Sequence, residues 1–259
     1  MTEARVRKLA RADGEHIAYL RREGKSPGVV WLGGFHSDMA GTKAEALDAW
    51  AERPPRVARP PRAYVRFDYF GHGLSSGAFR DGTISRWRDD ALAVLDELCT
   101  GPQVLVGSSM GGWIALLAAL ARPEKVAGLL LIAPASDFTE TLLWQQMTPE
   151  VQLEIMEKGE WQRPSLYDEA PYPITRSLIE DGRKHLVLRG AIALDLPVRI
   201  LQGMKDPDVP WQHALKLVEK LGGNPVLNLI KEGDHRLSTP ADLVRMERAL
   251  DELIVEIED

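Results

Sequence analysis

Between Val104 and Ala121 an apolar run, a G-x-S-x-G turn and a second apolar run follow one another with no spacer. A strand that passes into a helix within so few residues leaves no space for side chains beside the turn residue. Glycines must therefore stand two places before and two places after it, and Gly107 and Gly111 flank Ser109 in that way. Such a turn lifts the Ser109 hydroxyl clear of the sheet. It also brings the free amides of a helix N-terminus beside that hydroxyl, where they can stabilise negative charge.

The same alternation continues along the chain. Short apolar runs at Val29–Leu32, Ala63–Asp68, Val104–Gly107, Gly128–Ala133, Val198–Gly203 and Val226–Ile230 read as strands. Between and after them, helical spacing predicts helices from a Thr83 cap to Cys99, over Gly111–Ala121, over Trp211–Leu221 and over Pro240–Ile257. Strands separated by helices of this length predict an α/β fold, with a mostly parallel central sheet covered on both faces. Val6–Ala10 and His16–Arg21 are expected to add an antiparallel edge. Between Ala135 and Pro197 the alternation breaks, and Trp144, Met147, Met156, Trp161, Tyr167 and Tyr172 stand among prolines and charges. An insertion of about 60 residues in a regular series reads as a lid, expected at 135–190 within one domain spanning 1–259. Its aromatics serve either as a small core of its own or as an acyl-binding surface.

Composition narrows the function classes. With 44% hydrophobic and 27% charged residues the chain falls outside the disordered and fibrous classes. The net charge of −6 and the lack of a Lys/Arg run argue against a nucleic-acid partner. The single cysteine, Cys99, excludes a disulfide framework and a multi-cysteine zinc site, and suits a reducing compartment. No HExxH or P-loop occurs, and Ser76 stands where a dinucleotide G-x-G-x-x-G after Gly71 requires glycine, so no metal or nucleotide cofactor is expected. Asp68–Gly77 reads instead as a structural turn. The apolar stretches Trp113–Ala121 and Val126–Ala135 are each about half of a membrane span. The first residues, Met1–Lys8, show no apolar signal core, and a cytoplasmic location is the expectation.

A serine hydroxyl needs a base. In a sheet of this kind the base sits in a loop at the carboxyl end of the last strand, where Glu232-Gly-Asp-His235 follows Val226–Ile230. His213 falls inside a helix and His16 in an edge strand, so both read as structural. The base in turn needs an acid to hold its tautomer. Asp206, three residues past Gly203 at the end of the preceding strand, is the first choice, and Asp208 stands close enough to compete or to cap the next helix. The oxyanion donors are expected to be the backbone N–H of Met110, after the nucleophile, and of Phe35, after Gly33-Gly34. His36 lines the same site or has no role.

The order Ser109, Asp206, His235 is that of the α/β-hydrolases. Gly107–Gly111, the Asp68–Gly73 turn, Gly203-Met-Lys-Asp206 with Val209-Pro210, and Asp234-His235 together resemble that superfamily. Met39–Ala44, Arg66–Tyr69, Ala121–Val126 and Gly159-x-Trp161 are similar to its mitochondrial palmitoyl-protein thioesterase and acyl-glucuronide esterase subfamily. The resemblance implies a serine hydrolase with Ser109 as nucleophile, Asp206 as acid and His235 as base. Its implied substrates are acyl thioesters or esters, either small molecules or S-acylated proteins, with S-depalmitoylation as the specific expectation. Alternatives are a short-chain carboxylesterase or acyl-glucuronide esterase, an amidase or peptidase, and a ligand-binding receptor that has lost turnover.

Overall fold

The computed structural model describes residues 5–52, 61–164 and 170–259. Tyr167, one of the aromatics of the expected lid, and the first four residues of the chain lie outside that set. In chain order the elements are β1 (Arg7–Ala10), β2 (His16–Arg22), β3 (Lys25–Leu32), α1 (Thr42–Glu52), β4 (Arg62–Phe67), α2 (Ile84–Leu98), β5 (Gln103–Ser108), α3 (Met110–Ala121) and β6 (Val126–Ile132). Then come α4 (Pro149–Lys158), β7 (Glu160–Arg163), β8 (Tyr172–Thr175), α5 (Arg176–Gly182), β9 (Val198–Gly203), α6 (Trp211–Lys220), β10 (Val226–Ile230) and α7 (Pro240–Glu258).

Eight strands form one sheet in the order β1-β2-β4-β3-β5-β6-β9-β10. From β4 to β10 every pairing is parallel, while β2 runs antiparallel to both β1 and β4, which is the expected edge. The chain moves outward in one direction from β3 to β4, then crosses back to β5. The crevice between the carboxyl ends of β3 and β5 is therefore the switch point where such sheets bind ligands. Period-two alternation along the strands feeds two cores. Val30, Leu32, Leu105, Leu129 and Leu131 face Trp87, Val94, Trp113 and Leu217 of α2, α3 and α6. On the other side Val29, Trp31, Val104, Val106 and Leu130 face Leu47, Trp50, Leu250 and Leu253 of α1 and α7.

The ends of the helices follow local chemistry. Thr83 caps α2 by accepting the Arg86 N–H at 3.2 Å, as its position predicts. Thr239 and Asp242 close a reciprocal capping box on α7. Asp208 is not the cap of α6, because that helix starts after Pro210 with no side-chain cap. α1 is not announced by the sequence. Its apolar positions Ala44, Leu47, Trp50 and Ala51 are few among charged neighbours, and only packing against β4 and α7 makes the pattern count.

The segment between β6 and β9 is more regular than its composition suggests. Thr148 caps α4, Gly159 ends it in the left-handed region at φ 87°, and β7 pairs antiparallel with β8. Its return to the sheet is tied down. Asp137 accepts the N–H groups of Val187 at 2.8 Å and Leu188 at 2.9 Å, and Trp113 Nε1 of α3 donates to the His185 carbonyl at 3.1 Å.

Candidate active site

Ser109 sits between β5 and α3 at φ 54° and ψ −118°, a conformation that non-glycine residues adopt only where the surroundings impose it. Its N–H donates to Ile132 O at 2.9 Å and its carbonyl accepts from Gly112 and Ala135, so the turn is held from both sides. The two flanking glycines are required by close backbone approach. A Cβ on Gly107 would lie 2.3 Å from Gly111 O, and one on Gly111 would lie 2.0 Å from Leu32 O.

His235, in the loop after β10, reaches Ser109 Oγ with Nε2 at 3.1 Å and Asp206 Oδ2 with Nδ1 at 2.8 Å. Asp206 is buried, and its carboxylate is committed on every side. Oδ1 accepts the N–H groups of Asp208 at 2.9 Å and Val209 at 2.8 Å, and Oδ2 also accepts from Gln202 Nε2 at 3.2 Å. Asp208 lines the open cavity, whereas Asp206 lies behind the imidazole. Of the two acids left open by spacing, the structure places Asp206 against His235. Ligand atoms of Asp206, Asp208 and His235 lie within 4.8 Å of one another, but Asp206 and His235 are engaged with each other and with Ser109.

Met110 is the first residue of α3, so its N–H has no intrahelical acceptor. Phe35 and Met110 both line the cavity beside Ser109, and a Cβ on Gly34 would lie 3.5 Å from Ser109 Cβ, so the loop after β3 passes directly against the serine. The Phe35 ring is clamped edge-on by Phe79, Trp87 and Tyr172 at centroid separations of 4.9, 5.7 and 5.6 Å. His36 lines the cavity and stacks on Tyr172 at 5.5 Å.

The sequence reading treats Asp68–Gly77 as a plain turn, yet the turn holds the Phe35 loop. Asp68 accepts the Met39 N–H at 2.6 Å with one oxygen and the Leu74 N–H at 2.8 Å with the other, joining the two loops. His72, also in that turn, faces His36. The signal for both was present in Asp68-x-x-Gly71-His72-Gly73 at a strand's carboxyl end, but a turn motif does not disclose which loop lies across from it. Lys43 at the start of α1 donates through Nζ to the Arg236 carbonyl beside His235, and burial lowers its pKa to about 8. His213 donates to or accepts from no catalytic group; its Nε2 contacts Ser136 O at 2.7 Å inside the core, as expected of a structural histidine.

A cavity of about 350 Å³ opens over Ser109. Its lining includes the apolar residues Met110, Ala135, Phe138, Leu142, Leu143 and Val209 and the polar residues Ser37, Asp38, Thr42 and Lys43. Of Trp144, Met147, Trp161 and Tyr172 in the segment after Ala135, Tyr172 lines it, while Trp144, Met147 and Trp161 pack against the main core. Among the described residues no helix is long and apolar enough to cross a membrane.

Comparison with known proteins agrees with this architecture. Residues 29–249 match the model of the Alpha/beta hydrolase family. The chain is 41% identical over 248 residues to mouse palmitoyl-protein thioesterase ABHD10, mitochondrial, covering 95% of this chain and 81% of the mouse protein. The human protein of the same name is 39% identical, with 95% and 79% covered. The solved structure of alpha/beta hydrolase domain-containing protein 10 from mouse superposes with a TM-score of 0.89 at 39% identity, covering 98% of this chain and 100% of that one. These names correct one expectation. The cytoplasmic location read from Met1–Lys8 is overturned by relatives that are mitochondrial, because a short stretch of leader composition says little about where a mature domain resides. Matched over more than two thirds of its length, the chain belongs to the Alpha/beta hydrolase family.

Proposed function

We propose that the protein hydrolyses acyl thioesters or carboxylic esters through an acyl-enzyme on Ser109, and that its specific reaction is S-depalmitoylation. One observation carries the mechanism: His235 bridges Ser109 at 3.1 Å and Asp206 at 2.8 Å at the floor of a half-apolar cavity. His235 Nε2 takes the Ser109 proton as Oγ attacks the acyl carbon. The electron pair of the C=O bond moves onto oxygen, where the Phe35 and Met110 N–H groups hold it. Collapse expels the thiol or alcohol, which receives that proton from His235. Water then repeats the sequence on the acyl-enzyme and restores Ser109. Asp206 keeps Nδ1 protonated and stabilises the imidazolium between the two transfers.

Acyl specificity is read from three supports. The relatives are named palmitoyl-protein thioesterases. The lining residues Met110, Phe138, Leu142 and Leu143 offer an acyl chain an apolar surface, and the polar ones within Ser37–Lys43 offer one to the leaving group. Residues 135–190 act as the lid of a single domain, closing the acyl side with Leu142, Leu143 and Tyr172. The test is a matched-pair assay of wild type and Ser109→Ala. Each receives an oxygen ester and a thioester of the same acyl group, from acetyl to palmitoyl. Efficient cleavage of long-chain thioesters by wild type alone supports the reading. A preference for short oxygen esters keeps the mechanism and replaces depalmitoylation by a general esterase.

A further inference from the structure

We propose that His72 is a positioning residue for the oxyanion loop: by accepting the His36 N–H it holds the backbone that aims the Phe35 N–H at the reacting oxygen. This inference rests on Ser109 chemistry with Phe35 as an oxyanion donor.

His36 stands at φ 57°, in the left-handed region, directly after Phe35. Few non-glycine residues stand there, and a hydrogen-bond partner from another loop holds the peptide it shares with Phe35. That partner is His72. Its Nε2 accepts the His36 N–H at 3.2 Å while its Nδ1–H donates to the Phe70 carbonyl at 3.1 Å. The two bonds require one tautomer, neutral and protonated on Nδ1. Burial enforces the neutral form, since desolvation lowers the His72 pKa to about 4. The Phe70 end is itself anchored, because its N–H donates to Asp90 at 2.8 Å and its carbonyl also accepts from Trp87 Nε1 at 3.1 Å. The imidazole is wedged edge-on between Phe79 and Trp87, the same rings that clamp Phe35. A rigid line of hydrogen bonds thus runs from α2 through Phe70 and His72 to the residue beside the oxyanion donor. Oxyanion stabilisation depends on a donor already in place before the charge develops, so a relaxed His36 costs rate rather than substrate affinity.

The test uses His72→Phe, which keeps a ring among Phe79 and Trp87 and removes both nitrogens, and His72→Gln, which keeps a carbonyl acceptor. Folding is checked by thermal melting, and turnover is measured on a short-chain p-nitrophenyl ester. Affinity for a trifluoromethyl ketone, whose adduct with Ser109 carries an oxyanion, is measured in parallel. The expected result for His72→Phe is a kcat lower by about 100-fold, the loss typical of one oxyanion donor, with KM little changed and ketone affinity falling in step. His72→Gln recovers at least tenfold of that loss. A folded His72→Phe enzyme with wild-type kcat and ketone affinity overturns the inference, as does a Gln variant no better than Phe. If His72→Phe does not fold, His72→Leu takes its place: a selective loss of kcat and ketone affinity that His72→Gln restores supports the role, and wild-type values in His72→Leu overturn it. Ser109→Ala is run alongside. Abolished turnover there with an unimpaired His72→Phe sinks only the positioning role, whereas turnover retained in Ser109→Ala sinks the hydrolytic mechanism and this inference with it.

Discussion

His235 Nε2 lies 3.1 Å from Ser109 Oγ although 126 positions separate the two residues in the chain. The contact exists because β5 and β10 are parallel strands of one sheet, whose carboxyl ends open on the same side. A loop after one such end reaches the loop after another whatever the chain length between them.

The acid is distinguished by substitution. Asp206→Asn is expected to lower kcat by about 10³–10⁴-fold with the fold intact, because the amide no longer enforces the Nδ1–H tautomer of His235. Asp208→Asn, at a carboxylate that borders the cavity while Asp206 holds His235 Nδ1, is expected to change kcat by less than about tenfold. Steady-state kinetics on one ester substrate decides between them.

Gly111→Ala tests the turn itself. Its Cβ would stand 2.0 Å from Leu32 O, a backbone atom that cannot swing aside. A destabilisation of at least about 3 kcal/mol is expected from urea unfolding, together with loss of turnover as Ser109 is displaced.

Cys99 is expected to be inert in the native protein. Burial pushes its thiol up to about 12, so the reactive thiolate is scarce at pH 8. Alkylation by iodoacetamide, followed by mass spectrometry, should proceed at a measurable rate only after denaturant is added. Rapid labelling of the folded enzyme contradicts this.

Stability should depend on pH through His72. Its folded pKa of about 4 lies below the ordinary 6.5, so between those values the unfolded chain binds more protons than the native one. Stability from this group is complete above pH 6.5 and is lost as pH falls towards 4, by about 3 kcal/mol in all. His185 and His213 are shifted in the same direction by burial, so the His72 share is read by difference. Urea unfolding across pH 4–7 should show a shallower slope in His72→Phe than in wild type, and equal slopes would contradict the assignment.

Much of the fold was legible because it follows from local periods. Val198–Gly203 and Val226–Ile230 are strands with the expected ends, and the helix after Thr83 keeps Ile84, Trp87, Ala91, Val94, Leu95 and Leu98 on its buried face. The segment after Ala135 was legible only as an interruption. Its anchor at Asp137 depends on partners 50 and 51 positions away in the chain, and its paired strands β7 and β8 do not alternate cleanly enough to announce themselves.

By itself the sequence determined the alternation of strand and helix, the glycines that crowd around Ser109, and the order in which serine, acid and histidine follow one another. Each of these is a property of neighbours along the chain, set by side-chain volume, backbone freedom and hydrophobic period. Only the tertiary structure decided that Asp206 rather than Asp208 meets His235, that Tyr172 reaches the cavity while Trp144 and Trp161 do not, and that His72 grips His36. Those outcomes turn on the direction of a side chain across a crevice, where a spacing of two residues reverses which group is buried and which faces the opening. Such directions are fixed by the packing of several elements at once, and the local order of residues carries no record of them.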